Sequence, residues 1–99
     1  MVIVLYKRRK ITYLKKATKF LKKNSIIAER EVDELVIKFT KKHFFNIDEN
    51  IDYKQMQGNL KDIFRIRKGD IRIIVKVINE EIIIEAIIND IGFRGDIYK

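Results

Sequence analysis

The 99-residue chain contains no cysteine and no proline, and it has a single histidine. Without cysteine it forms no disulfides and no thiolate, and nothing in the composition points to an oxidising compartment. His43, next to Phe44, is expected to be a helix-terminal residue rather than a ligand. No cluster of carboxylates and histidine has the spacing of a metal site, so we expect neither a metal ion nor another cofactor.

A long apolar run is also missing. The apolar start, residues 1–6, is too short for a signal-peptide core or a membrane span, and a basic run follows it. We therefore expect a soluble cytoplasmic protein without a membrane partner. The length and the 46% hydrophobic content suffice for one core, so residues 1–99 are expected to form one domain.

Acidic residues are absent from the first part of the chain, although the net charge is +8 overall. Glu29 is the first carboxylate. The basic residues before it are Lys7, Arg8, Arg9, Lys10, Lys15, Lys16, Lys19, Lys22 and Lys23. Such a block is typical of a protein that binds a polyanion, either nucleic acid or an acidic protein. The alternative is a solvated helix face.

The stretch 64–73 predicts a β-hairpin, because apolar and basic residues alternate with period two about Lys68-Gly69. In that register Arg67 faces Asp70 and Arg65 faces Arg72. Like charges opposite each other are unfavourable in a sheet, which suggests that an anion such as phosphate lies between them.

The two faces of this predicted sheet differ in composition. If the hairpin continues through a turn near Asn79, one face is entirely apolar. It carries Phe64, Ile66, Ile71, Ile73, Val75, Val77, Ile82, Ile84, Ala86 and Ile88. The other face, which we call the arginine face, is a mixture suited to a wet or ligand-bearing surface. It carries Ile63, Arg65, Arg67, Arg72, Ile74, Lys76, Ile83, Glu85, Ile87 and Asn89. Since a slip of one residue would exchange the faces, this uniformity fixes which side packs on the core.

The remaining pattern predicts a two-layer α+β fold of order β-α-α-β-β-β. Residues 2–6 have strand composition. Helical spacing relates Ile11, Leu14, Ala17, Phe20 and Leu21. Asn24-Ser25 offers a cap for a second helix, whose apolar stripe comprises Val32, Leu35, Val36, Phe39 and Phe44. Residues 46–53 are expected to form a loop before strands at 62–67, 71–78 and 82–89. Both helices should cover the apolar side of a mostly antiparallel four-stranded sheet, with the first strand at an edge.

Three segments, 56–58, 63–74 and 91–98, resemble the motifs of the RelE/ParE toxin superfamily of bacterial toxin–antitoxin systems. They are similar to its leucine-x-gly, tyr-arg-ile-arg-x-gly-asx-tyr-arg and gly-his-arg-x-x-val-tyr segments. The predicted order of elements agrees with that family over the whole chain.

The resemblance to RelE-type members implies a ribosome-dependent mRNA endonuclease that needs no metal. In that chemistry a ribose 2′-hydroxyl attacks its own 3′-phosphate, which requires cations for the phosphorane charge and groups that transfer protons. The implied catalytic residues are Arg65, Arg67, Arg72 and Arg94, with Tyr98 as base. Residues expected to contact RNA are Lys15, Lys19, Lys22, Lys23, Lys68, Lys76 and Phe93.

The sequence departs from the family at two places. Arg65 and Arg67 stand where well-known RelE proteins have lysines, and an arginine is a poor proton donor, so no general acid is assigned. Phe93 replaces the histidine of many relatives and would offer an aromatic surface to a base. Alternatively, the arginines are solvated or pair with residues such as Glu85, and Tyr98 is a packing anchor.

The resemblance also implies partners. A cognate antitoxin with an acidic or amphipathic segment is expected to cover the basic surface, and the ribosome with its mRNA is the expected target. The family leaves two other functions open. One is a ParE-like inhibitor that binds DNA gyrase without cutting RNA, and the other is a degenerate module that only binds its antitoxin.

Overall fold

The computed structural model describes residues 8–58, 62–79 and 83–93. These form five strands and two helices. In chain order they are β1 (Arg8–Tyr13), α1 (Lys15–Lys23), α2 (Glu29–Phe45), β2 (Asp52–Gln55), β3 (Ile63–Lys68), β4 (Ile71–Asn79) and β5 (Ile83–Phe93). The two-layer α+β class predicted from the sequence is confirmed.

The sheet has five strands in the order β1-β5-β4-β3-β2, and only the β1–β5 pair is parallel. As predicted, the first strand lies at an edge. The strand count of four was wrong, because β2 occupies part of the expected loop and forms the other edge. Its sequence, Asp-Tyr-Lys-Gln, is mostly exposed and has no apolar alternation, so only the pairing with β3 makes it a strand.

The first strand and helix begin later than their sequence pattern indicates. The predicted strand at residues 2–6 lies outside the described residues. Ile11, assigned above to the helix, lies in β1 opposite Ala86 of β5. Leu14 is the residue before α1, and its side chain is exposed. Ile11, Thr12 and Tyr13 are β-branched or aromatic, and pairing with β5 satisfies their preference for a strand.

The predicted cap of α2 at Asn24-Ser25 is wrong. Asn24 instead ends α1, because its backbone N–H and its Nδ2 both donate to the carbonyl of Phe20, at 2.9 and 3.0 Å. The second helix begins at Glu29, where the Glu31 carboxylate accepts a hydrogen bond from the N–H of Ala28 at 3.3 Å. This reach back from the third helical position satisfies one of the unpaired donors of the helix start.

Both helices cover the same side of the sheet. The buried core comprises Ala17, Ile27, Val32, Val36, Phe39, Ile51, Phe64, Ile66, Ile71, Ile73, Val75, Val77, Ala86, Ile88 and Ile91. It contains every member of the predicted apolar face whose side chain the structure describes. Phe39 of α2 is fully buried against Phe64 and Tyr53, with ring centroids 4.8 and 5.0 Å away.

A β-bulge in β5 changes the facing of the last strand. Val75 pairs with Ile88 and Ile74 pairs with Asp90, so Asn89 is an extra residue. The alternation therefore shifts by one position, and Ile91 and Phe93 lie on the helical side. The strand continues to Phe93, four residues beyond its predicted end.

Tyr13 connects β1 to the start of α2. Its hydroxyl donates to Asp33 Oδ1 at 2.5 Å and approaches the carbonyl of Glu29 at 3.2 Å. Burial raises the pKa of Tyr13 far above its usual range. The hydrogen bond to Asp33, the charge of Asp33 and the charge of Glu29 raise it further.

We expect Tyr13→Phe to lower the free energy of unfolding by about 1 to 2 kcal/mol at pH 7, because it removes a hydrogen bond to a carboxylate. The folded state holds the phenol proton more tightly than the unfolded chain, in which tyrosine titrates near pH ~10. The stability that Tyr13 adds is thus complete below that pH and is lost above it. Urea unfolding from pH 8 to 11 should show a shallower alkaline loss in the variant, and an unchanged slope would contradict this assignment.

Candidate phosphate-binding site on the arginine face

The β3–β4 hairpin turns at Gly69-Asp70, one residue later than predicted. Arg67 therefore lies opposite Arg72, and Arg65 lies opposite Ile74. The predicted partners were wrong by two residues, and because two is a full period of a strand, the assignment of side chains to faces is unchanged. Gly69 has a φ of +57°, which glycine adopts without steric cost at the first position of a two-residue loop.

Arg67 has a carboxylate on one side and a cation on the other. Its neighbour on β2 is Asp52, and Arg67 Nε donates to Asp52 Oδ2 at 2.7 Å. Its neighbour on β4 is Arg72. Two arginines thus face each other, although Arg67 and not the predicted Arg65 lies opposite Arg72. Asp52 supplies part of the negative charge that this juxtaposition requires. Both members of the ion pair are about half exposed, at 49% and 50%.

Arg72 is buried, with only 4% of its surface exposed, although the sequence places it on a polar face. Its Nη1 donates to the carbonyl of Gly69 at 2.8 Å and approaches that of Ile71 at 3.2 Å. Gly92, which has no side chain, lies opposite Arg72 on β5. Arg72 therefore braces the hairpin turn, in addition to any contact with a ligand.

Arg65 differs from both. It is half-buried, its neighbours across the sheet are Lys54 and Ile74, and its Nε is buried without a hydrogen-bond partner among the described residues. A buried donor without a partner costs about 1 to 3 kcal/mol. An anion with an oxygen that reached this Nε would remove that cost, so Arg65 is taken as the centre of the candidate site.

Lys54 is a residue that the sequence analysis missed. It lies on β2 opposite Arg65, is exposed, and points to the arginine face. Together Arg65 and Lys54 form a cationic pair next to the Asp52–Arg67 ion pair. The pattern Asp52-x-Lys54 places two charges on one face, but this becomes visible only when residues 52–55 are recognised as a strand.

Glu85, considered above as a counter-ion of the arginines, has other partners. Its carboxylate lies 3.8 Å from Lys10 Nζ and accepts a hydrogen bond from Thr12 Oγ1 at 3.2 Å. It therefore belongs to the β1 side of the sheet.

The residues predicted to contact RNA are divided between the two sides. Lys76 is exposed on the arginine face, between Ile63 and Ile87. Lys68 lies on the helical side, where its Nζ is 3.5 Å from a carboxylate oxygen of Glu31. Phe93 also lies on the helical side because of the bulge, and it packs edge-to-face on Phe20 with ring centroids 5.3 Å apart. It is not the aromatic surface that was expected beside the arginines.

Helix α1 presents a second basic surface. Lys15, Lys16, Lys19, Lys22 and Lys23 are exposed, while Ala17 is buried against the sheet. Because α1 packs on the helical side over β5, these lysines and the arginine face are on opposite sides of the molecule. One flat partner cannot cover both.

Two predicted catalytic residues, Arg94 and Tyr98, lie outside the described residues. Within the described part of the chain, no group of three or more histidine, aspartate or glutamate side chains could hold a metal ion. Neither helix there has the length and apolar content that a membrane crossing requires.

Comparison with solved structures identifies the fold. A copper-bound mutant toxin from Helicobacter pylori has a TM-score of 0.61 at 17% identity, over 88% of this chain and 96% of that chain. YafQ from Escherichia coli strain BL21(DE3) has a TM-score of 0.60 at 11% identity, over 93% and 100%. The RelB-RelE antitoxin-toxin complex from Methanococcus jannaschii contains a chain with a TM-score of 0.52 at 19% identity, over 88% and 94%.

The chain has the fold of the RelE/ParE toxins. The resemblance inferred from segments 56–58, 63–74 and 91–98 is thereby confirmed at the level of the fold. No protein-family model and no curated sequence matches the chain. In this RelE-like fold the arginine face is the side of the sheet opposite α1 and α2.

We expect Asp52→Asn to raise the affinity for single-stranded RNA by up to about 5-fold, since a half-exposed ion pair opposes release of Arg67 by at most about 1 kcal/mol. Asp48→Asn, in the exposed loop before β2, is the control because it changes the net charge equally. Fluorescence anisotropy at several salt concentrations measures both. Equal gains in the two variants would mean that Arg67 does not reach the RNA.

Proposed function

We propose that this protein is the toxin of a type II toxin–antitoxin system and that its arginine face binds and cleaves mRNA. The observation that carries the proposal is the environment of Arg65. Its buried Nε has no partner among the described residues, and Lys54 and Arg67 lie on the same face beside it. Such a site suits a phosphate with two accessible oxygens.

The proposed reaction is attack of a ribose 2′-hydroxyl on the adjacent phosphate, which leaves a cyclic phosphate and a 5′-hydroxyl. Charge accumulates on the phosphorane oxygens in the transition state. Arg65 and Lys54 would stabilise that charge directly, and Arg67 would join them when it leaves Asp52. Arg72 would hold the hairpin turn so that Arg67 keeps its position.

The proton transfers are assigned to other groups, because an arginine does not release its proton near neutral pH. Tyr98 is the proposed base for the 2′-hydroxyl, and Arg94 is the proposed cation that lowers its pKa, both carried over from the family resemblance. No metal ion takes part in this scheme.

Two macromolecular partners are proposed. Solved structures with this fold include antitoxin-toxin complexes, for example those from Methanococcus jannaschii and Pyrococcus horikoshii. By analogy, a cognate antitoxin with an acidic segment would cover the arginine face. The lysines of α1, on the other side, would contact ribosomal RNA while mRNA occupies the arginine face.

Arg65→Ala should lower mRNA cleavage about 100-fold or more, the usual cost of removing a group that stabilises transition-state charge. It should leave the protein folded, since Arg65 is not part of the apolar core. Primer extension on mRNA in a translation extract measures the cuts. Arg30→Ala is the matched control, because Arg30 is exposed on α2 on the opposite side of the sheet.

Arg72→Ala is a less informative test, because this buried side chain also braces the turn and its loss should lower stability.

If wild-type protein makes no cuts within codons but inhibits DNA supercoiling by gyrase, the ParE-like alternative replaces this proposal. Wild-type cleavage by Arg65→Ala would place the catalytic site elsewhere.

A further inference from the structure

A groove of about 450 Å³ lies at the end of the sheet where β3 begins and β4 ends. Its walls include His43 and Phe44 from the last turn of α2, Phe64 from β3, Asp62 just before β3, and Lys76 from β4. Aromatic residues and an aspartate therefore line one space, and Lys76, whose side chain lies on the arginine face, borders it. None of the catalytic steps described above uses His43, Phe44 or Asp62.

The aromatic wall is held in place by its neighbours. The His43 ring lies 4.8 Å from the ring centroids of both Phe44 and Phe64, at steep angles to each. Its Nδ1 is 3.1 Å from the hydroxyl of Tyr53. Partial burial lowers the pKa of His43, so the imidazole is neutral at pH 7 and presents an uncharged aromatic ring.

The groove adjoins the arginine face at the end of the sheet, although its aromatic walls lie on the helical side. Lys76 lines it and also lies on the arginine face, where the Ile63–Lys76 pair is next to the Arg65–Ile74 pair on the same face. Two residues along a strand correspond to about 7 Å. This is of the order of one nucleotide step in an extended single strand. A strand whose phosphate lies at Arg65 would therefore bring its next phosphate near Lys76. A base farther along the strand could enter the groove where the strand passes around the start of β3.

The chemistry of the walls suits a nucleobase. Single-stranded RNA is held by aromatic side chains that stack on unpaired bases and by cations that follow the backbone. Asp62 adds an acceptor that can pair with an exocyclic amino group. A purely apolar ligand would leave the Asp62 carboxylate unpaired, so the groove does not favour one.

We propose that this groove is a base-binding subsite, in which the His43–Phe44 wall stacks on a nucleotide that follows the phosphate bound at Arg65. The proposal rests on the proposed function, because it takes the arginine face to bind RNA. It adds a specificity element at a distance from the reacting atoms and names His43, Asp62 and Lys76 as its polar members.

The test is the binding of a short 2′-O-methyl RNA oligonucleotide, which cannot be cleaved by attack of the 2′-oxygen. His43→Leu keeps an apolar side chain but removes the aromatic ring, and should lower affinity by roughly 5-fold or more. His43→Phe keeps an aromatic ring and should restore most of the affinity. Because His43 is the only histidine in the chain, its ring resonances should also shift when the oligonucleotide binds.

Salt dependence separates stacking from charge. Lys76→Met should lower the magnitude of the slope of log K against log salt by about 0.7, the value for one phosphate contact with a single strand. His43→Leu should leave that slope unchanged. Lys42→Met is the matched control, because Lys42 is exposed beside His43 on α2 and does not line the groove.

A scan with single abasic positions completes the experiment. At the position whose base occupies the groove, removal of the base should lower the affinity of the wild-type protein. The same removal should leave the affinity of His43→Leu unchanged. The proposal is overturned if His43→Leu binds as tightly as wild type and the histidine resonances do not move. If affinity still depends on Arg65 in that case, the proposed function stands. If cleavage fails but binding and its dependence on His43 persist, only the proposed reaction is overturned. Absence of any RNA binding overturns both proposals.

Discussion

The register of the β3–β4 hairpin is the constraint on which the candidate site depends. Gly69 allows the two-residue turn with a positive φ, and the turn sets Arg67 opposite Arg72 and Phe64 opposite Val75. The alternation of side chains then directs the arginines to one face and the core residues to the other. Exposure of the cations and burial of the apolar residues require the same register, because a slip of one residue would bury the cations and expose the apolar residues.

The three arginines of this face are physically different although they look alike in the sequence. Arg72 is buried and bonded to backbone carbonyls of the turn, Arg67 is paired with Asp52, and Arg65 keeps a buried donor without a partner among the described residues. Of the three, Arg65 is therefore the residue whose donor lacks a partner that an anion could supply. Lys54 adds charge beside it at little cost, because its ammonium group remains solvated. This ranking makes Arg65 and Lys54 the centre of the proposed phosphate site.

The position of the two basic surfaces limits how partners can bind. The sheet separates the lysines of α1 from the arginine face, so a partner that covers both must wrap around an edge. An extended antitoxin segment can do this, whereas a globular partner can cover only one side. The groove at the end of β3 and β4 is different, because it lies where the two sides of the sheet meet and Lys76 borders it from the arginine face.

The sequence by itself determined the α+β class, the two helices, strands β3 and β4 to within a residue, and the face of Arg65, Arg67, Arg72 and Lys76. These features follow from local periodicity, which each segment carries without its neighbours. Tertiary structure alone decided the rest. Strand β2 exists through its pairing with β3, the bulge at Asn89 turns Phe93 toward Phe20, and the turn at Gly69-Asp70 keeps Lys68 in β3, where it lies on the helical side near Glu31. The sequence also did not reveal the role of Lys54, the ion pair of Arg67 or the burial of Arg72. Each of these depends on which residue lies opposite on another strand, and the periodicity of one segment does not encode pairing between strands.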